Sequence, residues 1–150
     1  LFLIITAIIV LIIDQASKAL VRSLMAVGES FSVIPGILYI TYVRNSGAAF
    51  GLLPNQKVLF FIISLTVIIF ILYYNRRMKI ANRLLAISLG SLLGGAAGNL
   101  IDRLFVGMVT DFIDFRVWPV FNIADSAIVI SVILIAYILL TQRPKEESHH

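Results

Sequence analysis

The sequence predicts an integral membrane protein, mainly α-helical, with four transmembrane helices and a small extracytoplasmic β-sheet between the first two. Three observations carry this. Hydrophobic residues make up 60% of the chain and charged residues 13%, against about 45–50% and about 25% in soluble domains. A soluble fold of 150 residues could not bury that much apolar surface. Four apolar segments approach spanning length, which is about 20 residues. Finally, the β-branched and aromatic run ILYITYV at 37–43 follows Pro35-Gly36, as a strand follows a turn.

The first span is expected at residues 1–21. Such an opening run can be mistaken for a secretory signal, but it has no small-residue cleavage pattern and carries Asp14 and Lys18 where one would sit. It is expected to stay as a helix, with the native start upstream of Leu1. Residues 22–57 are mixed, and FSVI at 31–34 is expected to pair with the 37–43 strand. The remaining spans are expected at 58–74, 84–106 and 123–141. Residues 1–142 then form a single four-helix membrane domain and residues 143–150 a cytoplasmic tail. The closing Ser148-His149-His150 reads as a tag remnant, so neither histidine is assigned to a site.

Loop charge sets the orientation. NRRMKIANR, after the second span, holds Arg76, Arg77, Lys79 and Arg83, and the tail holds Arg143 and Lys145. The long first loop has Arg44 as its main cation. By the positive-inside rule, both termini are cytoplasmic. Asp14, Lys18, Asp102, Asp111, Asp114 and Asp125 then gather near the outer membrane surface. The net charge of +4 sits on membrane-flanking loops rather than on a basic, aromatic-interleaved stripe, so nucleic acid is not an expected partner. With no cysteine, disulfides, thiol catalysis and cysteine metal sites are excluded.

In the third span Ala86, Gly90, Gly94 and Gly98 recur every four residues, a smooth face that lets another helix approach. Asp102 continues that row, and Asn99 and Arg103 stand beside it. The face therefore delivers polar groups to the helix end. Charges in an oily chain are costly and need a reason.

Two aspartates stand out. Asp111 is expected on a short extended segment near the interface, where it could be only a solvated loop carboxylate. Asp125 falls in the first turn of the fourth helix. With Asn122 as N-cap it would complete a capping box, and the helix dipole would favour its ionised form. Two carboxylates held close share a proton. One can then take a proton from water while the other polarises a peptide carbonyl, as in aspartic proteases. Metal binding by carboxylates and amides competes with this reading, but there is no D-x-D run or native histidine, and neither metal nor cofactor is expected. Asp14 and Lys18, spaced i, i+4, suit an ion pair that could also face the site. Arg103 could pair with Asp102, Asp111 or a lipid phosphate, in a positioning role. Asn45, in the turn Asn45-Ser46-Gly47, could bond a substrate backbone or cap its own turn. Asp114 is expected only to solubilise a loop. Phe50, Leu52, Leu53, Trp118 and Phe121 could form an apolar rim or serve as interfacial anchors. Gly47 and Gly51 are candidate hinges of the first loop.

Together the motifs resemble the lipoprotein signal peptidases, the type II signal peptidases of bacteria. The blocks are DQASK at 14–18, NSGAAFG at 45–51, GNLIDR at 98–103, G-x-V-x-DF at 107–112 and FNIAD at 121–125. The resemblance runs nearly the whole chain, and five blocks in order are highly specific. It implies an intramembrane aspartyl protease of the bacterial cytoplasmic membrane, with a β-cradle and its site near the outer leaflet. Its substrates would be diacylglyceryl-modified prolipoproteins, cut just before the lipidated cysteine. The resemblance maps the catalytic pair onto Asp111 and Asp125, and supporting polar residues onto Asp14, Lys18, Asn45, Asn99, Arg103 and Asn122. It also implies membrane phospholipids as surroundings and sensitivity to globomycin-type cyclic peptides. A monomer is expected. Trp118 in WPVFN departs from the phenylalanine common before that proline, which touches a rim contact and not the chemistry. The alternatives are a small proton-coupled transporter and a non-catalytic membrane assembly factor. A transporter would place its polar site at the bilayer midplane, often between repeated halves, and no internal repeat is visible.

Overall fold

The computed structural model describes residues 1–47, 56–77 and 80–141. In chain order they form α1 (Phe2–Leu24), β1 (Ser30–Ile34), β2 (Leu38–Asn45), α2 (Lys57–Arg77), α3 (Arg83–Ile101), a π-helical turn (Asp102–Val106), β3 (Val109–Asp114) and α4 (Ile123–Thr141). Four stretches, Phe2–Leu24, Val58–Arg77, Arg83–Val106 and Ile123–Thr141, are long and apolar enough to cross a membrane. The expected spans are present, and the fourth has the expected bounds. Large apolar side chains such as Ile9, Ile62, Phe70, Ile133 and Leu140 are exposed on the outside of the bundle. In water this surface would be a liability; in lipid it is the solvated face. Gly51, Phe50, Leu52, Leu53, Lys79 and the tail lie outside the described residues.

The most enclosed helix is α3. It packs against α1, α4 and α2, and its small residues explain how. A Cβ added at Gly90 would collide with the carbonyl oxygen of Leu3, and one at Gly98 with the carboxylate of Asp14. At Gly94 it would lie 2.6 Å from the carbonyl oxygen of Ala7. The expected glycine row is thus the seat of α1. Gly95, one position round the helix, does the same for α4, where an added Cβ would lie 2.7 Å from the carbonyl oxygen of Ala124. Backbones approach this closely only where side chains are missing. Leu3, Ala7, Ile71, Ala86, Leu89 and Leu93 close the core at the end away from the sheet.

The sheet sits where α1 and α3 end and α2 and α4 begin. Its order is β1-β2-β3, antiparallel throughout. The expected pairing of the first two strands is present, with Phe31 opposite Ile40. The sheet also recruits β3 from between the third and fourth spans, so it is not built from the first loop alone. Gly107, with φ 82°, turns the chain out of the π-helical turn into β3. Between Ile40 and Val43 the register of β2 on β3 shifts, leaving Thr41 and Tyr42 opposite Phe112. Such a bulge re-aims side chains. Here Tyr42 packs with Phe112 and Val21 as a small second core. After β3 the chain returns to it, since the backbone N–H groups of Phe112 and Ile113 both donate to the carbonyl of Phe121. That return sets Asn122, the first residue before α4, beside β3.

Replacing Gly94 by leucine is expected to wedge α1 off α3. Overpacking of this kind costs about 1–3 kcal/mol, so the thermal unfolding midpoint in detergent should fall by several degrees. The same change at Ile87, which is exposed on another face of α3, should leave it unchanged.

Candidate active site

Asp111 is the middle of β3. Alternation along the strand sends Thr110 and Phe112 towards α1 and Asp111 to the other face. Val43 stands directly opposite Asp111, and Asn45 is its diagonal neighbour on the same face. Asn45 Nδ2 donates to Asp111 Oδ2 at 2.9 Å, and Asn122 Nδ2 donates to Oδ1 at 2.6 Å. Asp111 is therefore a buried strand residue and not a solvated loop carboxylate. Asn45 also accepts from Gly47 N at 2.9 Å, so it caps its turn while it holds Asp111.

Asp125 completes the expected capping box. Its backbone N–H donates to Asn122 Oδ1 at 2.9 Å, and its Oδ2 accepts from Asn122 N at 3.4 Å. Its Oδ1 accepts from Asn99 Nδ2 at 2.7 Å. Capping and membership of the site are not alternatives here. Asn122 caps α4 and, with the same side chain, donates to Asp111 and to Asn99 Oδ1 at 3.2 Å.

Behind this layer lies a buried ionic cluster. Lys18, fully buried, places Nζ 2.8 Å from Asp14 Oδ2, 3.5 Å from Asp102 Oδ2 and 2.9 Å from Asn99 Oδ1. Asp14 also accepts from Ala124 N in the first turn of α4 at 2.9 Å. Asp102 accepts from Thr110 N at 2.9 Å, one residue before Asp111. Asp14 and Lys18 are thus an ion pair, as expected, but they do not line the cavity. They act on it through Asn99, α4 and β3.

Two residues in this cluster escaped the sequence reading. Gln15 Nε2 reaches Asp14, the carbonyl of Gly98 and Asp102 at 3.1–3.3 Å. Arg22 Nη1 reaches Asp102 Oδ1 at 3.3 Å and Thr110 Oγ1 at 3.1 Å. A signal for Arg22 was present, because Asp14, Lys18 and Arg22 recur every four residues on one helix face.

Arg103 pairs with no carboxylate among the described residues. Its Nη1 donates to the carbonyl of Asn99 at 3.2 Å, and its guanidinium lies 5.4 Å from the centre of the Phe60 ring. Asp114 also differs from expectation. It is a buried member of β3, accepting from Thr41 Oγ1 at 2.6 Å and from Arg116 N at 2.7 Å. It lies on the opposite strand face from Asp111, outside the cavity.

A cavity of about 650 Å³ opens between α2, α3 and α4. Asn45, Asn99, Arg103, Asp111 and Asp125 line its polar end, and Trp118 and Phe121 its rim. The remaining wall is mostly apolar, with Phe60, Ile63 and Val67 from α2 facing Ile128 and Val129 from α4, and Ser64 and Ser126 among them. Inside it the Asp111 carboxyl is pushed up from 3.8 to about 7. Burial is the main cause and the charge of Asp125 adds to it, against the hydrogen bonds from Asn45 and Asn122 and the charge of Lys18. The site thus holds two neighbouring carboxyl groups, of which Asp111 keeps its proton to a higher pH than an exposed aspartate would.

Comparison with known proteins gives the family. Residues 6–141 match the family model described as signal peptidase (SPase) II. The chain belongs to the signal peptidase II family. Among relatives, it is 48% identical to the lipoprotein signal peptidase of Pelotomaculum thermopropionicum, over 96% of this chain and 95% of that one. It is 52% identical to that of Syntrophomonas wolfei, over 93% of each. Two solved structures, described as bacterial membrane enzymes, superpose with TM-scores of 0.86 and 0.84 at 39% and 41% identity. The first match covers 99% of this chain and 93% of that one, the second 94% of each. This member of the signal peptidase II family is a multi-pass membrane protease.

Two outcomes follow from the buried charges. Lys18→Met should leave Asp14 and Asp102 without their shared cation and destabilise the fold by about 3–5 kcal/mol, read as a large drop in the unfolding midpoint. Asp111 has a folded pKa above its ordinary value, so the folded state binds that proton more tightly. Its contribution to stability is complete below about pH 4 and is lost as pH rises through about 7. The unfolding midpoint of the wild type, relative to Asp111→Asn, should therefore fall between those limits and level off above them.

Proposed function

We propose that this chain is an aspartyl endopeptidase that removes the signal peptide from diacylglyceryl-modified bacterial prolipoproteins, cutting just before the lipidated cysteine. The relatives' name, lipoprotein signal peptidase, gives the substrate class. The observation that carries the mechanism is that Asp111 and Asp125 line one cavity and are both tied to Asn122.

In the resting state we assign the proton to Asp111, whose carboxyl is pushed up to about 7, and the charge to Asp125, at the positive end of α4. Asp125 takes a proton from water as the water oxygen attacks the scissile carbonyl carbon. Asp111 gives its proton to the carbonyl oxygen, so a neutral gem-diol forms. Asp125 then returns its proton to the leaving nitrogen as the C–N bond breaks, and a gem-diol hydroxyl reprotonates Asp111. General acid–base steps of this kind contribute about 10²–10⁴-fold each. Among the described residues, Arg103 commits one N–H to a protein acceptor, the carbonyl of Asn99. Its other donors can hold a substrate carbonyl. Asn45 and Asn99 keep the two carboxylates apart in orientation.

The arginine-rich end of the bundle, with Arg76, Arg77 and Arg83, is assigned to the cytoplasm, and both termini with it. The dyad then works near the outer leaflet. The apolar wall between α2 and α4 suits a substrate that arrives sideways, with its helix and acyl chains still in lipid. A globomycin-type cyclic peptide would compete for the same cavity.

The test is cleavage of a diacylglyceryl-modified precursor peptide in detergent. Asp111→Asn and Asp125→Asn should each lose about 10²-fold or more while keeping a cooperative unfolding transition. Activity surviving in either variant removes that residue from the chemistry. The wild-type turnover number should decline as pH rises past about 7, where Asp111 gives up its proton.

A further inference from the structure

At the end of the bundle opposite the two aspartates, the start of α1, the end of α2 and the start of α3 enclose a second cavity, of about 320 Å³. Its walls are of two kinds. The last turn of α2 supplies Asn75, Arg76 and Arg77, whereas Phe2 and Ile80 are apolar. Arg83, in the first turn of α3, lies with its guanidinium 4.8 Å from the centre of the Phe2 ring, and Arg77 lies 5.6 Å from that of Tyr73. Two guanidinium groups thus line the hollow and a third lies beside its Phe2 wall, with Arg77 and Arg83 each over an aromatic ring. Among the described residues none of the three meets a carboxylate.

We propose that this cavity binds the phosphodiester headgroup of an anionic phospholipid from the leaflet at that end of the bundle. A planar guanidinium matches phosphate oxygens with paired N–H donors. The cation–ring contacts of Arg83 with Phe2 and of Arg77 with Tyr73 restrict those side chains beforehand, so less freedom is lost on binding. Basic hollows between helix ends attract acidic headgroups. The apolar wall adds what a bare phosphate does not need, a surface for the glycerol and the first acyl carbons. A helix C-terminus favours arginine through its dipole, but that alone requires neither the hollow nor the apolar wall.

The test is native mass spectrometry of the full chain in detergent with phosphatidylglycerol or phosphatidylcholine added at equal concentration. The wild type should retain one phosphatidylglycerol at least several-fold more often than phosphatidylcholine. Arg76→Gln/Arg77→Gln should lose that preference, Arg76→Lys/Arg77→Lys should keep only the part that charge alone supplies, and peptidase activity in detergent should be the same in all three. No preference in the wild type, or the same preference in the glutamine variant, overturns the proposal. Millimolar inorganic phosphate should leave the lipid adduct in place. If phosphate alone removes it, the occupant is a free phosphate and the lipid assignment fails.

Discussion

The ammonium of Lys18 is the centre of the buried ionic cluster that lies behind the two cavity aspartates. It is fully buried and lies within reach of Asp14, Asp102 and Asn99. A lone charge in such a place would be prohibitive, and two lone carboxylates equally so. Together they are tolerable, because each remaining oxygen is used. Asp14 accepts from the first turn of α4 and Asp102 from the backbone of β3. No buried side-chain polar atom is left without a partner among the described residues. The cluster therefore fixes the two elements that carry Asp125 and Asp111 relative to the helices behind them. A network of this kind is stiff because loosening any member strands a charge.

That cluster can exist only where helices come unusually close. The glycine row on α3 lets α1 settle on it, and Gly98 leaves just the room that the Asp14 carboxylate occupies. Gly95 does the same for α4 on the adjoining face. Three helix backbones thereby converge on one short stretch of α3, and Asn99 follows directly. Its carbonyl oxygen faces Lys18 and its amide faces Asp125, so a single side chain joins the buried ion cluster to the cavity. Packing and chemistry depend on the same few positions, which is why a small-residue face and a polar helix end occur as one continuous row.

Much of this was legible in the sequence. The spans follow from apolar length, and the glycine row from its four-residue period. Asp125 with Asn122 follows from capping chemistry, and the family from five ordered blocks. What was not legible depended on distant partners. Asp114 looks like a loop acid until the pairing of β2 with β3 brings Thr41, 73 residues away, within hydrogen-bond reach of it. The third strand was hidden because VTDFID has no alternation that separates a sheet member from a short extended link. Both of its faces are covered, one by α1 and the other by the site. Arg22 was visible as the third member of the row from Asp14, yet its role needs Thr110, which only the sheet brings near.

The cavity is divided in a way that the chemistry requires. Its charged and amide groups gather at one end, and the two aspartates there are held from behind: Asp111 by Asn45 and Asn122, Asp125 by Asn99 and the start of α4. The rest is mostly hydrocarbon wall. A low-dielectric surround raises the cost of ionising two neighbouring carboxylates, and this keeps a proton on Asp111 where an exposed aspartate would have lost it. Burial thus raises the proton affinity of Asp111 at the polar end of a cavity whose remaining wall is mostly apolar.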